Sequence, residues 1–402
     1  IRYRHMMHVP VSVGPWDFRL NFTASDLKLK ALKRMPWLRK LPGWNREEVR
    51  YLADYERMLD EFAYTDLEEY RHRMARLSSA RCMKCESPRC RDAGCPLENA
   101  IPEWIDLAYR HEWREAARRL HETNNFPEFT AEICPAPCQT ACKQGTNGYP
   151  VRIREIERQI VDRAFAEGWV APESAPEATE RRVAVIGSGP AGLAAAQQLA
   201  RAGHSVTVFE AGDQPGGLLR DGIPAFRLDK ALVDRRLEQL RAEGVEFRTN
   251  TRVGRDISAG KLREDYDAIC LATGAQKPRD LEIPGREHEG ICFALDFLRA
   301  HSGGNGGQSM SVRGKSVVVI GGGETGNDCV ETALLDGARE VRQLEILPEG
   351  RADVDLTHEP PRDVDRHWSV MTKRFRGNGA GLEGLSAAKV RWARGPRGDI
   401  ME

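Results

Sequence analysis

A helical N-terminal domain leading into an α/β core of two Rossmann-like units is the fold this sequence predicts, and three observations carry the prediction. Seven cysteines crowd into residues 82–142, among segments whose apolar residues recur at helical spacing. Two Gly-rich loops, Gly187-Ser-Gly-Pro-Ala-Gly192 and Gly321-Gly-Gly-Glu-Thr-Gly326, each follow a short Val/Ile run and open a helical pattern. Around them, strand-like runs such as Arg182–Ile186, Ser205–Glu210 and Val317–Ile320 alternate with helices. This is the rhythm of a doubly wound parallel sheet, and it occurs twice.

The bulk numbers bound the reading. With 402 residues, 41% hydrophobic and 30% charged, the chain is long enough for two or three domains with ordinary cores. Lys+Arg and Asp+Glu number 60 each, so no net field draws the chain to nucleic acid or to a membrane surface. No apolar run reaches the ~18 residues of a membrane span.

Along the chain, residues 1–44 form a basic lead with no assigned fold. Ten Lys/Arg stand against Asp17 and Asp26 up to residue 46. A solvated face accounts for this, with a partner-docking surface as the alternative. Asn45 reads as a helix N-cap with Glu47 and Glu48 in the first turn, followed by Val49, Leu52, Tyr55, Leu59 and Phe62 at helical spacing. Further helices are expected near 66–79, 101–121 and 151–168, making 45–170 the helical domain. Residues 171–180, polar and carrying Pro172 and Pro176, read as a linker. The first α/β unit then runs over 181–304. The second, 305–402, is entered through Asn305-Gly-Gly307. The chain begins at Ile1 and ends in Lys389–Ile400, a pattern like a hairpin cut short, so both ends are expected to be cuts within a longer protein.

The cysteines are Cys82, Cys85, Cys90 and Cys95, the last followed by Pro96, and then Cys134, Cys138 and Cys142. In a long chain with nucleotide loops and no signal peptide, this clustering points to metal ligation in a reducing, cytoplasmic compartment rather than to disulfides. The four-cysteine run ending in Cys-Pro echoes the ferredoxin pattern, in which the last cysteine ligates a second cluster. Zinc is the alternative, but its sites take four ligands, and seven thiols upstream of redox-type loops favour two iron–sulfur clusters. Two [4Fe-4S] clusters ask for eight ligands. The eighth is then an oxygen ligand, for which Glu155 and Glu157 are placed, or one cluster is three-iron or has an open iron. Cys270, Cys292 and Cys329 lie in apolar contexts and read as core residues.

In the first loop Gly187 allows the tight turn, Gly189 lets the backbone meet a pyrophosphate, and Gly192 lets the helix pack close to the strand. Glu210 closes the next strand, in place to accept a ribose hydroxyl. Gly216-Gly217 and the strand ending Ala272-Thr273-Gly274 favour FAD as the dinucleotide here. The second loop, with Gly321, Gly323 and Gly326, is the natural NAD(P)H site. Glu345 suits the 2′-hydroxyl of NADH, whereas Arg339, Arg342 and Arg351 suit a 2′-phosphate. Glu345 tips the reading toward NADH.

From about Arg81 to at least Leu347 the chain resembles the small (β) subunit of bacterial-type glutamate synthase, or the matching C-terminal region of the fused enzyme. The resemblance runs through Cys95-Pro-Leu97, Ile101-Pro-Glu-Trp104, Asn124-Asn-Phe-Pro-Glu-Phe-Thr130, Ile133-Cys-Pro-Ala-Pro-Cys138, Gly216-Gly-Leu-Leu-Arg-Asp-Gly-Ile-Pro224 and both Gly-rich loops. It implies a flavoprotein reductase core behind an Fe-S domain. It further implies that Cys82, Cys85, Cys90 and Cys142 hold one [4Fe-4S] cluster and Cys95, Cys134 and Cys138 the other. Glu157 matches the position of a non-cysteine ligand in a pyrimidine-reducing relative. In such a family NAD(P)H reduces FAD, and electrons pass to an FMN- and cluster-bearing large subunit that makes two L-glutamates from L-glutamine and 2-oxoglutarate. A flavin-contacting Gly-Asp pair of the family is expected beyond Glu402. Pyrimidine reductases, ferredoxin:NAD(P) transhydrogenases and a non-catalytic cluster-binding scaffold are the rival readings, and the Asn124–Thr130 segment argues for glutamate synthase.

Overall fold

The computed structural model describes residues 7–13, 16–22, 75, 77–147, 150–302, 310–349, 364–378, 381–395 and 398–401. The expected helix from Asn45, most of that at 66–79, the Asn305–Gly307 connection and Arg351 lie outside them. Packing divides the chain into two units, one of residues 1–127 with 136–169 and one of residues 128–135 with 170–402.

In the first unit, β1 (Met7–Val13) and β2 (Trp16–Phe22) pair antiparallel inside the basic lead. Cys90–Gly94 forms one π-helical turn. The helix expected over 101–121 is two helices, α1 (Ile101–Tyr109) and α2 (Trp113–His121). Between them His111 has φ +63°, the left-handed region where an α-helix stops. The break lets α2 turn back on α1, so that Trp104, Ile105 and Ala108 face Ala116, Ala117 and Leu120 in one buried layer. The only polar atom of the buried Trp104 ring, Nε1, donates to Asn99 Oδ1 at 2.9 Å. After α3 (Pro127–Ile133) and the short α4 (Pro137–Thr140), α5 (Ile153–Ala166) closes the layer with Ile156, Ile160 and Ala164.

The second unit is built on two parallel sheets. The first has the order β5-β4-β3-β6, from β3 (Arg182–Ile186), β4 (Ser205–Phe209), β5 (Glu246–Arg248) and β6 (Ala268–Leu271). β3 and β4 are each buried at four of five positions, which is why they read as near-continuous Val/Ile runs rather than alternating ones. Its helices are α6 (Pro190–Arg201), α7 (Leu218–Asp221), α8 (Lys230–Ala242) and α9 (Ala259–Asp265), whereas α10 (Ala294–His301) packs Phe297 and Leu298 into the core of the second sheet, against Cys329, Val330, Ala333 and Val341. The second sheet orders β7 (Ser316–Ile320), β8 (Glu340–Leu344) and β9 (Asp365–His367), with α11 (Glu324–Leu335) crossing from β7 to β8. Among the described residues β7 pairs on one edge only, and Val318 and Ile320 are exposed. Two hairpins follow, β10 (Val370–Asn378) with β11 (Gly381–Lys389) and β12 (Trp392–Gly395) with β13 (Gly398–Met401). The last is the hairpin pattern read at the chain's end. No helix among the described residues is long and apolar enough to cross a membrane.

α3 from Glu128 onward belongs to the second unit, and a buried ion pair ties it there. Arg236 on α8 grips Glu128 with both arms, Nε to Oε1 at 2.6 Å and Nη2 to Oε2 at 2.7 Å, and both side chains are 1% exposed. Arg236 Nη1 donates to Gln239 Oε1 at 2.8 Å, Gln239 Nε2 donates to Glu243 Oε1 at 2.8 Å, and Arg201 Nη2 completes the chain on Glu243 at 2.7 Å. A bidentate pair with its remaining donors satisfied is the geometry in which burial of two charges is tolerated. Removing one partner strands the other charge. Glu128→Ala or Arg236→Met alone is therefore expected to lower stability by about 3–5 kcal/mol, with Glu128→Leu/Arg236→Met together recovering most of it. Denaturant unfolding checks this, and single variants within about 1 kcal/mol of the parent would show that the pair does not hold α3.

Candidate functional site

The thiols come together across long stretches of sequence. Ser78 Oγ accepts from Arg152 N at 2.7 Å and Arg81 O accepts from Gln144 Nε2 at 2.9 Å, tying the approach to Cys82 to the loop after Cys142. As a result Cys142 and Cys85 lie within electrostatic reach of both Cys82 and Cys90. Burial pushes the Cys82 thiol upward and the Cys90 thiol up to about 12, and the neighbouring thiols add to both. Thiols that resist ionising, as Cys82 and Cys90 do, become favourable thiolates when positive charge is placed among them. Cys82, Cys85, Cys90 and Cys142 are the set that the resemblance assigns to one cluster.

Cys95 meets the Cys138 segment through a missing side chain. A Cβ on Gly94 would stand 2.7 Å from Cys138 Cα and 2.9 Å from Ala141 Cβ, so the π-turn lies on α4 only because residue 94 is glycine. Cys134 follows α3, on the segment that Glu128 fixes in the second unit. Of the two carboxylates proposed as an eighth ligand, Glu155 is partly exposed and pairs with Arg152. Glu157 is buried and its Oε1 accepts from Asn124 Nδ2 at 2.9 Å, while Asn124 Oδ1 accepts from Phe126 N at 3.1 Å. Among the described residues no three ligating side chains converge as a single metal ion would need. A cluster of four irons takes its thiolates at separate corners and asks for a looser spread. Among the described residues no cysteine is paired in a disulfide. Cys329 is buried as expected and Cys270 half-buried. Cys292 is exposed, because the turn before α10 leaves it at the surface, and it is not the core residue its apolar neighbours suggested.

The two Gly-rich loops repeat one design. Gly187 has φ +100° and Gly321 φ +118°, the turn only glycine takes without strain. A Cβ on Gly192 would lie 2.0 Å from Gly187 O, and one on Gly326 would lie 2.3 Å from Gly321 O. These glycines let α6 and α11 begin against their strands, with Gly189 and Gly323 as extended N-caps, and a helix end of this kind suits an anion. Glu210, at the end of β4, accepts from Ser188 N at 3.1 Å, from Ser188 Oγ and from Gly212 N at 2.8 Å. Glu345, at the end of β8, accepts from Gly322 N and from Leu347 N at 2.7 Å. Each acid thus stands at its loop, where the sequence placed it.

Around the first loop further segments close in. A Cβ on Gly217 would be 2.8 Å from Gly189 Cα, and one on Gly187 would be 2.4 Å from Ala272 O, so Gly217 and the Ala272-Thr273-Gly274 strand end both abut the loop. Ser188, wholly buried, joins these pieces, since its Oγ also accepts from Gly216 N at 3.0 Å. Lys230 holds the next turn by donating to Leu219 O at 2.8 Å and Ile223 O at 2.6 Å, and burial with Arg220 nearby lowers its pKa to about 8. Neither Ser188 nor Lys230 was visible as a site residue, because their partners are backbone atoms of other segments. At the second loop, Arg339 donates to Ser316 Oγ at 2.9 Å at the opposite end of the sheet, and Arg342 pairs with Asp365 at 2.6 Å and Glu340 at 3.0 Å.

Residues 60–169 match the model of dihydropyrimidine dehydrogenase domain II, 4Fe-4S cluster, and residues 181–388 that of pyridine nucleotide-disulphide oxidoreductase. The chain is therefore an iron–sulfur domain joined to a pyridine nucleotide oxidoreductase. It is 49% identical over 376 residues to the glutamate synthase [NADPH] small chain of Mycobacterium tuberculosis, covering 88% of this chain and 75% of that one. It is 48% identical over 299 residues to the Bacillus subtilis small chain, covering 70% and 61%. Against the glutamate synthase [NADH] of Schizosaccharomyces pombe it is 44% identical over 352 residues, covering 80% of this chain and 17% of that one. The chain belongs to the glutamate synthase small-chain family.

Gly192→Ala is expected to abolish flavin retention, whereas Gly326→Ala should keep the flavin and lose nicotinamide-nucleotide binding, read from flavin absorbance and from titration with NAD+. Equal flavin loss in both would mean that the loops do not divide the two dinucleotides. Gly94→Ala should lower bound iron and acid-labile sulfide below the parent's, because a methyl group there pushes the turn off Cys138.

Proposed function

We propose that this chain is the electron-input subunit of a glutamate synthase. The observation that carries the reading is the presence in one chain of two dinucleotide loops of the same design and a cysteine domain whose Cys82, Cys85, Cys90 and Cys142 draw together. Gly187–Gly192 and the start of α6 hold the FAD pyrophosphate, with Glu210 turned to its ribose. Gly321–Gly326 and α11 do the same for the nicotinamide nucleotide. Glu345, with Arg339 and Arg342 engaged elsewhere, supports NADH over NADPH. Bound flavin supplies the step from hydride to single electrons.

Two [4Fe-4S] clusters complete the proposed chain of carriers. Cys82, Cys85, Cys90 and Cys142 hold the first. Cys95, Cys134 and Cys138 hold the second, with Glu157 as its oxygen ligand, kept in place by Asn124. Electrons leave to a large subunit that forms two L-glutamates from L-glutamine and 2-oxoglutarate. The assembly works in the cytoplasm, where thiolates stay reduced.

The test is anaerobic oxidation of NADH and NADPH by the native protein with its co-expressed large subunit. Oxidation is expected to require both 2-oxoglutarate and L-glutamine, and to favour NADH. Rapid oxidation with a viologen acceptor but none with the two substrates would keep the reductase and remove the glutamate assignment.

A further inference from the structure

Glu324 is an unexpected residue for its position. It is the first residue of α11, directly after Gly323, at the helix end that faces the pyrophosphate if the Gly321–Gly326 loop binds a nicotinamide nucleotide. A carboxylate there opposes an incoming dianion, and Asp328 repeats the charge one turn further along the same helix. Arg227 meets both charges. Arg227, its side chain 6% exposed, donates Nη2 to Glu324 Oε2 at 2.8 Å. Its Nη1 is buried without a hydrogen-bond partner and lies 3.6 Å from Asp328 Oδ1.

Arg227 comes from a distant part of the same unit. It ends the stretch that starts with Gly216 and Gly217 against the first loop and runs through the turn that Lys230 holds. One short segment therefore touches the first loop at its start and the head of the second loop's helix at its end. We propose that Arg227 is a positioning residue for the nicotinamide nucleotide: by neutralising Glu324 and Asp328 it keeps the α11 end open to a pyrophosphate, and it ties that end to the segment lining the flavin loop. The proposal rests on the assignment of the nucleotide to the second loop.

NAD+ binding to the flavin-loaded full-length protein, measured by calorimetry so that no hydride moves, separates this charge-masking role from a structural strut. Arg227→Met is expected to weaken NAD+ by about tenfold, or about 1.4 kcal/mol, and Arg227→Lys by about threefold or less. Adding Glu324→Gln to Arg227→Met should restore most of the affinity, because the unmasked charge is gone. Glu324→Gln alone should bind NAD+ at least as tightly as the parent, and this variant decides the matter should Arg227→Met fail to fold. Affinity of Arg227→Met within about twofold of the parent overturns the proposal. So does a double variant as weak as Arg227→Met, or a tenfold loss in Glu324→Gln alone. In each of those cases parent binding of NAD+ leaves the nucleotide assignment standing. A parent that binds neither NAD+ nor NADP+ overturns both.

Discussion

The space between a glycine and a carbonyl oxygen governs the second unit. Where Gly192 would carry a methyl group, Gly187 O stands 2.0 Å away, and the same crowding recurs between Gly326 and Gly321 at 2.3 Å. Because helix and strand approach this closely, the first turn of each helix sits at the carboxyl edge of its sheet, with its free N–H groups gathered over the loop. The acids that end β4 and β8 then reach those loops and hold their amides. One steric constraint, used twice, places the helix ends, the loop amides and the acids Glu210 and Glu345 together.

The first unit is organised by a different cost. Burial makes the Cys82 and Cys90 thiols resist losing protons, and the fold nonetheless sets both within electrostatic reach of Cys85 and Cys142. Desolvation alone disfavours that arrangement. A cationic centre among them would turn the same thiols into favourable ligands and tie metal loading to folding. Elsewhere in the unit Gly94 lets its turn lie against Cys138, and Asn124 holds the buried Glu157.

Local features were legible and distant partners were not. The strands around Val183 and Val317, both loops and the acids Glu210 and Glu345 could be read because strand pattern, glycine spacing and the acid that follows all lie within about 25 residues of one another. The break at His111 escaped the reading because its neighbours keep helical periodicity across it. Glu128 and Arg236 are 108 positions apart, and nothing in either neighbourhood names the other. The Asn124–Thr130 segment is a case in between. Its residues stood out by resemblance, and the structure supplies the physical reason, since Asn124 holds Glu157 and Glu128 holds Arg236. Arg339 and Arg342 show the converse, for they lie near the nucleotide loop in sequence yet are occupied by Ser316, Asp365 and Glu340.

The membership of residues 128–135 in the second unit has a genetic consequence. The chain enters that unit at Glu128, leaves it after Pro135 and enters it again at Val170. Although residues 171–180 look like a seam, a gene cut there would encode an oxidoreductase module with a buried guanidinium at Arg236 and no carboxylate to meet it. Shuffling this reductase onto another electron acceptor therefore requires the Cys134 segment to travel with it. That makes inheritance of the two modules as one piece the route of least disruption.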